Sequence, residues 1–331
     1  MEYRLLGETG VKLSVLGLGC SNFGERTSEK EAEKIILTAF ENGINFIDTA
    51  NVYPNQGLEG KSETIIGKIL RKHDLRDKFF LSTKVRARMG EGPNDSGLSK
   101  YHILKQINGS LKRLQTDHID LYQLHHPDHT VAIEEQTATM DILIKQNRIL
   151  YFGLSSFSSW ELIEFLWNSE KKNFSKCVSV QSKYNLFDRA IESDICTVGK
   201  KYKISVFAYS PLDGGLLTGK YALNKPLPLN ARHTIWGLDF KKIENKKKLK
   251  KVEKLLKIAE KKKTSLTQLS IARLLHNKDI TSYIIGPRTT EHLKQYLSAL
   301  EVTLSYDEID KIDKICPPEK IYTPSKKSMF R

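Results

Sequence analysis

With 331 residues and 39% apolar content, the chain can build one large α/β domain or two smaller ones around a proper core, which excludes compositional disorder. Its four cysteines, Cys20, Cys177, Cys196 and Cys316, stand far apart without CxxC or cysteine–histidine ligand spacing, and so read as free thiols in a reducing compartment. The formal net charge of +14 is local: 12 lysines against Glu244, Glu253 and Glu260 put +9 of it between Lys241 and Lys263, where Leu249, Val252, Leu255, Leu256 and Ala259 recur at helical spacing and no aromatic side chain interleaves for base stacking, so the lysines read as a solvated helix face.

Met1 to Gly7 lacks a basic region followed by an apolar core, and no run of about 18 apolar residues occurs, so a cytoplasmic, soluble protein is expected. Gly7-Glu8-Thr9-Gly10 between short apolar runs predicts the turn of an opening hairpin. A strand over Leu13 to Cys20 follows. Ser28-Glu29-Lys30-Glu31 has the form of a capping box, and the helix it opens is terminated by Gly43.

From there strand and helix alternate without a break in composition. Strands at 44–48, 79–84, 119–125, 149–155 and 177–182 lead to helices near 60–72, 99–114, 131–146, 158–168 and 188–202. A strand at 204–209 leads to a long loop, the lysine-rich helix and a helix near 265–276. A strand at 281–285, a helix near 289–300 and one more from Asp307 close the series, and residues 317–331 form a polar tail. Eight strand–helix units with no linker favour a single α/β domain over 1–331, a closed (β/α)8 barrel behind an N-terminal hairpin.

The stretch Asn45 to Tyr53 carries the chemistry. Its strand ends at Asp48 and the loop beyond reaches Tyr53, while two later strands end at Lys84 and His125. Parallel neighbours would bring all four to one rim, where this architecture places its active sites. A phenol has a reference pKa of about 10, and an ammonium beside it favours the phenolate; lowering that pKa by about 2 units takes roughly 2.7 kcal/mol. Lys84 can supply that charge, Asp48 can partner the otherwise costly buried ammonium, and His125 can donate a hydrogen bond to a substrate carbonyl. The set suits reduction of a carbonyl, and since it holds no nucleophile or metal site, a hydride donor such as a nicotinamide has to bind. Phe23, the loop from Val85 to Leu98, and Thr234-Ile235-Trp236 are expected to line an apolar mouth.

Nearly end to end, these residues resemble the aldo-keto reductases. The matching stretches are Gly17-Leu18-Gly19, Phe46 to Ala50 with Tyr53, Ser62-Glu63, Ser82-Thr83-Lys84, and Asp120-Leu121-Tyr122 with His125. Further on come Gly153 to Phe157, Val180-Gln181 with Tyr184-Asn185, Tyr209 to Leu212, and Ile285 to Arg288. The glycine-rich run Gly214 to Tyr221 resembles the bacterial and potassium-channel-β-subunit-like branches. The resemblance implies Tyr53 as proton donor tuned by Lys84 and Asp48, His125 as carbonyl orienter, and NADPH lying across the rim. It further implies that Ser155, Ser156 and Gln181 hold the carboxamide, Tyr209 stacks on the nicotinamide, and Ser210, Pro211, Leu212, Gly214 and Lys220 wrap the pyrophosphate. Gly286 and Arg288 would meet the adenosine end, where a guanidinium fits a 2′-phosphate and favours NADPH over NADH. The chain departs from the family at Ser156, usually asparagine, and at His292 and Tyr296, where many relatives carry glutamine and asparagine near the adenine.

The leading expectation is therefore an NADPH-dependent reductase of a small-molecule aldehyde or ketone. The alternatives are a nicotinamide-binding redox sensor or accessory subunit with slow turnover, and a polyanion binder working through the lysine helix. No specific nucleic acid or membrane partner is expected, and the sequence leaves the oligomeric state open.

Overall fold

Gly7 and Gly10, at φ of 52° and 81°, turn the chain between β1 (Tyr3–Leu5) and β2 (Lys12–Ser14), which pair antiparallel as the expected hairpin. The structure, a computed structural model, describes residues 1–55, 57–222, 228, 231–235 and 242–319. Beyond the hairpin the chain alternates through β3 (Leu16–Gly19), α1 (Glu29–Glu41), β4 (Phe46–Asp48), α2 (Lys61–Lys72), β5 (Phe80–Val85), α3 (Lys100–Leu114) and β6 (Ile119–Leu124). It continues through α4 (Ile133–Lys145), β7 (Ile149–Ser155), α5 (Ser159–Lys172), β8 (Ser179–Lys183), α6 (Ile195–Tyr202) and β9 (Ser205–Tyr209). After β9 come α7 (Arg232–Ile235), α8 (Ile243–Lys261), α9 (Leu266–Leu275), β10 (Ser282–Ile285), α10 (Thr290–Leu297) and α11 (Tyr306–Ile315).

Strands β3 to β10 are all parallel and close in sequence order, with β10 pairing both β9 and β3, so the fold is the (β/α)8 barrel with an N-terminal hairpin. Such strands are buried on both faces and read as apolar runs rather than alternating ones. Side chains still alternate in direction, so every second residue points to the barrel axis. At the N-terminal end these are Phe46, Leu121 and Phe207, which pack with Leu6 and Leu13 from the hairpin into a cluster of their own. Phe46 and Phe207 lie with ring centroids 5.0 Å apart, and a Cβ on Gly17 would sit 2.8 Å from the Phe46 ring, so the residue there has to be glycine. Two residues further along each strand the interior turns polar, at Asp48, Ser82, Lys84 and Gln123. The hairpin thus plugs one end with hydrocarbon and leaves the polar end facing the loops.

Three local expectations are corrected. The strand expected over Leu13 to Cys20 is two, β2 in the hairpin and β3 in the barrel, the Ser14 amide at the end of β2 donating to the Asn45 side chain at 2.8 Å instead of to a barrel neighbour. At α1 the Ser28 hydroxyl accepts from the Glu31 amide at 3.2 Å, but the Glu31 carboxylate does not return to the cap. It accepts instead from the Thr290 amide at 2.7 Å and the Thr290 hydroxyl at 2.9 Å, joining α1 to α10 across the seam where the barrel closes. Reciprocal capping boxes do form at Ser265–Gln268 and Ser305–Glu308. The segment 188–202 is not one helix: a 3-10 turn at Ala190–Glu192 precedes α6. There Arg189 donates to Glu192 at 2.7 Å, to Asp313 at 2.8 Å and to the Cys316 carbonyl at 2.8 Å, fastening that turn to α11 before the helix restarts.

In α8 Leu249, Val252, Leu255 and Ala259 are buried, as the spacing predicts. Lys248 is not simply solvated: its ammonium bonds Asp213 at 2.8 Å. No helix among the described residues is long and apolar enough to cross a membrane.

Six histidines, at 102, 125, 126, 233, 276 and 292, are held below the ordinary imidazole pKa, with burial the largest cause at each. In the unfolded chain they titrate near about 6.5, so below that pH the unfolded state binds more protons than the folded one and stability falls as pH falls. Melting temperature followed from pH 7.5 to 5 is expected to start declining near pH 6.5, well above the range where carboxylates titrate. A flat or rising melting temperature over that interval would contradict this account of the buried imidazoles.

Candidate active site

Parallel register brings the ends of three strands together: Asp48 lies opposite Ser82, and Lys84 opposite Gln123. The chain leaving β4 stays fastened to β5, with the Thr49 amide donating to Ser82 (2.9 Å) and the Asn51 amide to Lys84 (3.1 Å). It then turns back, the Tyr53 amide donating to Ala50 (3.1 Å) and the Tyr53 carbonyl accepting from Ser62 at the start of α2 (3.2 Å). This path carries the Tyr53 ring over Lys84, whose Nζ lies 5.4 Å from the ring centroid. The His125 amide donates to Val85 at 2.9 Å, which holds His125 just past β6, and its Nε2 stands 3.4 Å from the Tyr53 hydroxyl.

Beneath the phenol, Lys84 is fully buried and donates to Asp48 Oδ2 at 2.6 Å and to the Thr49 carbonyl at 2.7 Å. Asp48, only 3% exposed, accepts on Oδ1 from Gln123 and Gln181, each at 3.1 Å. Burial alone would neutralise the ammonium, but the negative charge of Asp48 and the adjoining phenol outweigh it and leave the Lys84 pKa above that of an ordinary lysine. His125 moves the other way. Burial, then the Lys84 charge, His126 and Arg86 push its pKa well down, so it is a neutral imidazole at pH 7. The His126 ring stacks on it with centroids 4.8 Å apart. One pocket therefore holds a permanent cation and a neutral imidazole on either side of a phenol.

Asp48, Tyr53 and His125 open onto a cleft of about 900 Å³ along the rim. The same cleft is lined by all the residues that the resemblance proposed for a cofactor: Ser155, Ser156, Gln181, Tyr209, Ser210, Pro211, Leu212, Gly214, Lys220, Gly286, Arg288 and His292. Lys84 sits below its surface. Ser155, Gln181 and Tyr209 are at or near the ends of β7, β8 and β9, and Gly286 directly follows β10. Gly214 and Gly215 hold φ of 61° and 100°, conformations that glycine adopts without strain, and a Cβ at 214 would meet His233 Nε2 at 2.5 Å. The Thr267 hydroxyl, buried beside the cleft, has no hydrogen-bond partner. A cleft lined by a glycine turn, by Lys220 and Arg288, and by the serines at the ends of β7 and β9 fits a dinucleotide.

Some details differ from expectation. Gln181, expected only at the cofactor, also donates its amide nitrogen to Asp48 at 3.1 Å and so braces the buried ion pair. Phe23 does not line the mouth; its ring is fully buried in the main core with Val85 and Leu98. A fully apolar ring gains more there than at a wet rim. Trp236 lies outside the described residues, as does most of the tail expected at 317–331. Sequence reasoning missed Asn22, Arg26, His126 and Thr267 as cleft residues. Their only signal was position just beyond a strand or at a helix start.

Ser156 explains its own departure in part. It holds φ of 62°, and its hydroxyl lies 3.3 Å from that of Tyr209. Asparagine tolerates this left-handed region better than serine and adds an amide that can reach into the cleft. Ser156→Asn is expected to raise melting temperature by a degree or two and to tighten nicotinamide binding several-fold, by thermal melts and cofactor titration. Weaker binding would mean that the Ser156–Tyr209 contact outweighs both gains.

Residues 15–317 match the pattern of the Aldo/keto reductase family. The chain belongs to this family. It is 38% identical over 330 residues, 98% of each chain, to a Bacillus subtilis (strain 168) protein described as "Uncharacterized oxidoreductase YrpG". It is also 33% identical over 326 residues to an Oryza sativa subsp. japonica protein described as "Probable voltage-gated potassium channel subunit beta", covering 95% of this chain and 96% of that one. A protein from Arabidopsis thaliana with the same description is 32% identical over 325 residues. This aldo/keto reductase is accordingly an oxidoreductase, of a family that generally uses nicotinamide cofactors.

Proposed function

We propose that this aldo/keto reductase reduces an aldehyde or ketone to the alcohol with NADPH, Tyr53 serving as general acid. The observation that carries the reading is the buried Lys84 cation, 2.6 Å from Asp48 and 5.4 Å from the Tyr53 ring, beside a neutral His125. A reduced nicotinamide bound along the cleft supplies the hydride. As charge builds on the carbonyl oxygen, Tyr53 gives up its proton to that oxygen, and the Lys84 ammonium stabilises the phenolate left behind. Neutral His125 serves better than an imidazolium would, since it donates one hydrogen bond to the carbonyl without competing to protonate it. Asp48 keeps the ammonium charged in a site that would otherwise strip its proton.

Ser155, Ser156 and Gln181 are suited to hold the carboxamide, and Tyr209 offers a ring face for the nicotinamide. Gly214 and Lys220 are suited to the pyrophosphate, Gly286 and Arg288 to the adenosine 2′-phosphate, and His292 to the adenine. The partner is then a small-molecule carbonyl compound and the setting cytoplasmic.

The test is a titration with NADPH and NADH followed by a panel of aldehydes and ketones, read at the reduced-nicotinamide absorbance. Turnover supports the reading, and absence of binding by either cofactor removes it. Arg288→Ala is expected to weaken NADPH by about tenfold while changing NADH little, the loss of one charge-assisted contact. Equal weakening of both would take the 2′-phosphate away from Arg288. The 33% identity to a rice protein described as a probable channel subunit favours a second reading, a nicotinamide-bound accessory or sensing role. Tight NADPH binding with negligible turnover across the panel would move the assignment there.

A further inference from the structure

Past Arg288 the cleft continues into a groove of about 700 Å³ at the start of α1, and Glu25, Arg26 and Arg288 line both. Arg26 stands on a tight turn. Its own amide and that of Thr27 donate to the Asn22 carbonyl at 3.1 and 3.0 Å, and the Gly24 amide donates to the Thr27 carbonyl at 2.9 Å. The Thr27 hydroxyl donates to the Arg288 carbonyl at 3.0 Å, so the turns bearing the two arginines are tied to each other.

The Arg26 side chain is 14% exposed, yet one terminal nitrogen is shut off from solvent and has no hydrogen-bond partner. The carboxylate of Glu25 lies 4.0 Å from Arg26 Nε, beyond hydrogen-bond reach, and already accepts from Asn55 at 2.6 Å. The other acids of the groove are engaged as well, Glu29 by Lys68 at 3.2 Å and Glu31 by the Thr290 amide at 2.7 Å. The Arg26 guanidinium thus sits beside Arg288 on a tied turn with one donor unpartnered, which is costly to maintain, and its planar fork matches the geometry of a phosphate.

We infer that Arg26 is a second guanidinium for the 2′-phosphate of NADP(H), closing from the β3–α1 turn on the group that Arg288 meets from the β10–α10 turn. This rests on the NADPH reading above. It makes a two-sided clamp of what the sequence presents as a single arginine.

The experiment is a fluorescence titration of the reduced nicotinamides NADPH and NADH against the full chain and its R26Q and R26K variants, with thermal melts as a folding control. R26Q is expected to raise the NADPH Kd about tenfold or more, as loss of a charge-assisted pair does, and to leave the NADH Kd within about twofold. R26K keeps the charge but loses the planar fork, and its NADPH Kd is expected between those of R26Q and the native chain. If the native chain prefers NADPH while R26Q alters both cofactors equally or neither, the clamp is overturned and the reductase reading stands. A native chain that binds neither cofactor overturns both. Should R26Q fail to fold, R26K decides, and native NADPH affinity in R26K overturns the clamp.

Discussion

Tyr53→Phe is expected to lower turnover by about 10²- to 10⁴-fold, the usual contribution of a positioned general acid, while leaving the NADPH Kd almost unchanged. Only the hydroxyl is removed, and the ring keeps its place over Lys84, where it lies 5.4 Å from the ammonium. His125 cannot readily substitute. Its pKa is pushed well below the ordinary value, so at pH 7 it has no extra proton to give. Steady-state kinetics with a responsive aldehyde, together with cofactor titration, checks this. Turnover within a few-fold of the native chain would show that another group delivers the proton, and His125 acting below pH 6 would then be the first to examine.

Lys84→Met is expected to damage both activity and stability. On the activity side, removing the ammonium withdraws the stabilisation of the phenolate, which at about 2 pKa units corresponds to roughly 100-fold in rate. On the stability side, Asp48 keeps a buried negative charge with only the Gln123 and Gln181 amides for company. Breaking a buried pair by deleting one partner costs on the order of 3–5 kcal/mol, far more than the pair itself contributes against an apolar substitute. The double variant Lys84→Met with Asp48→Asn removes the orphaned charge and is expected to regain most of the lost melting temperature without regaining turnover. That split separates the two roles. A single variant as stable as the native chain would mean that water reaches Asp48 more freely than its 3% exposure implies. Turnover restored in the double variant would sink the electrostatic role of Lys84.

Much of this molecule was legible in the chain because parallel barrels repeat one sentence. Apolar runs ending in Asp48, Lys84 and His125 announce strands whose last residues share a rim, and the register of β4, β5 and β6 follows from that repetition. The cleft residues named from family resemblance do lie along one cleft, which concerns their position and leaves their roles to experiment. Contacts between segments distant in sequence were not legible. Glu31 has the spacing of a capping residue, yet Thr290, 259 residues away, takes its carboxylate. Phe23 looks like a mouth residue because it follows a strand end, yet the turn at Cys20 to Thr27 sends its ring into the core. Lys248 is one lysine among many in the sequence, and only the fold reveals that it reaches Asp213, next to the glycine turn. Local pattern predicts what a residue does for its own helix or strand, and a long-range partner that offers a better hydrogen bond overrides it.

The hydrocarbon stopper formed by Leu6 and Leu13 with Phe46, Leu121 and Phe207 separates what the two ends of the barrel answer for. Changes there are registered as loss of folded protein, whereas changes at the opposite rim, where loops carry Tyr53, His125 and Arg26, are registered as altered chemistry. Descendants of such a chain are free to exchange one carbonyl substrate for another through loop variation alone, with the scaffold's persistence underwritten from the far side.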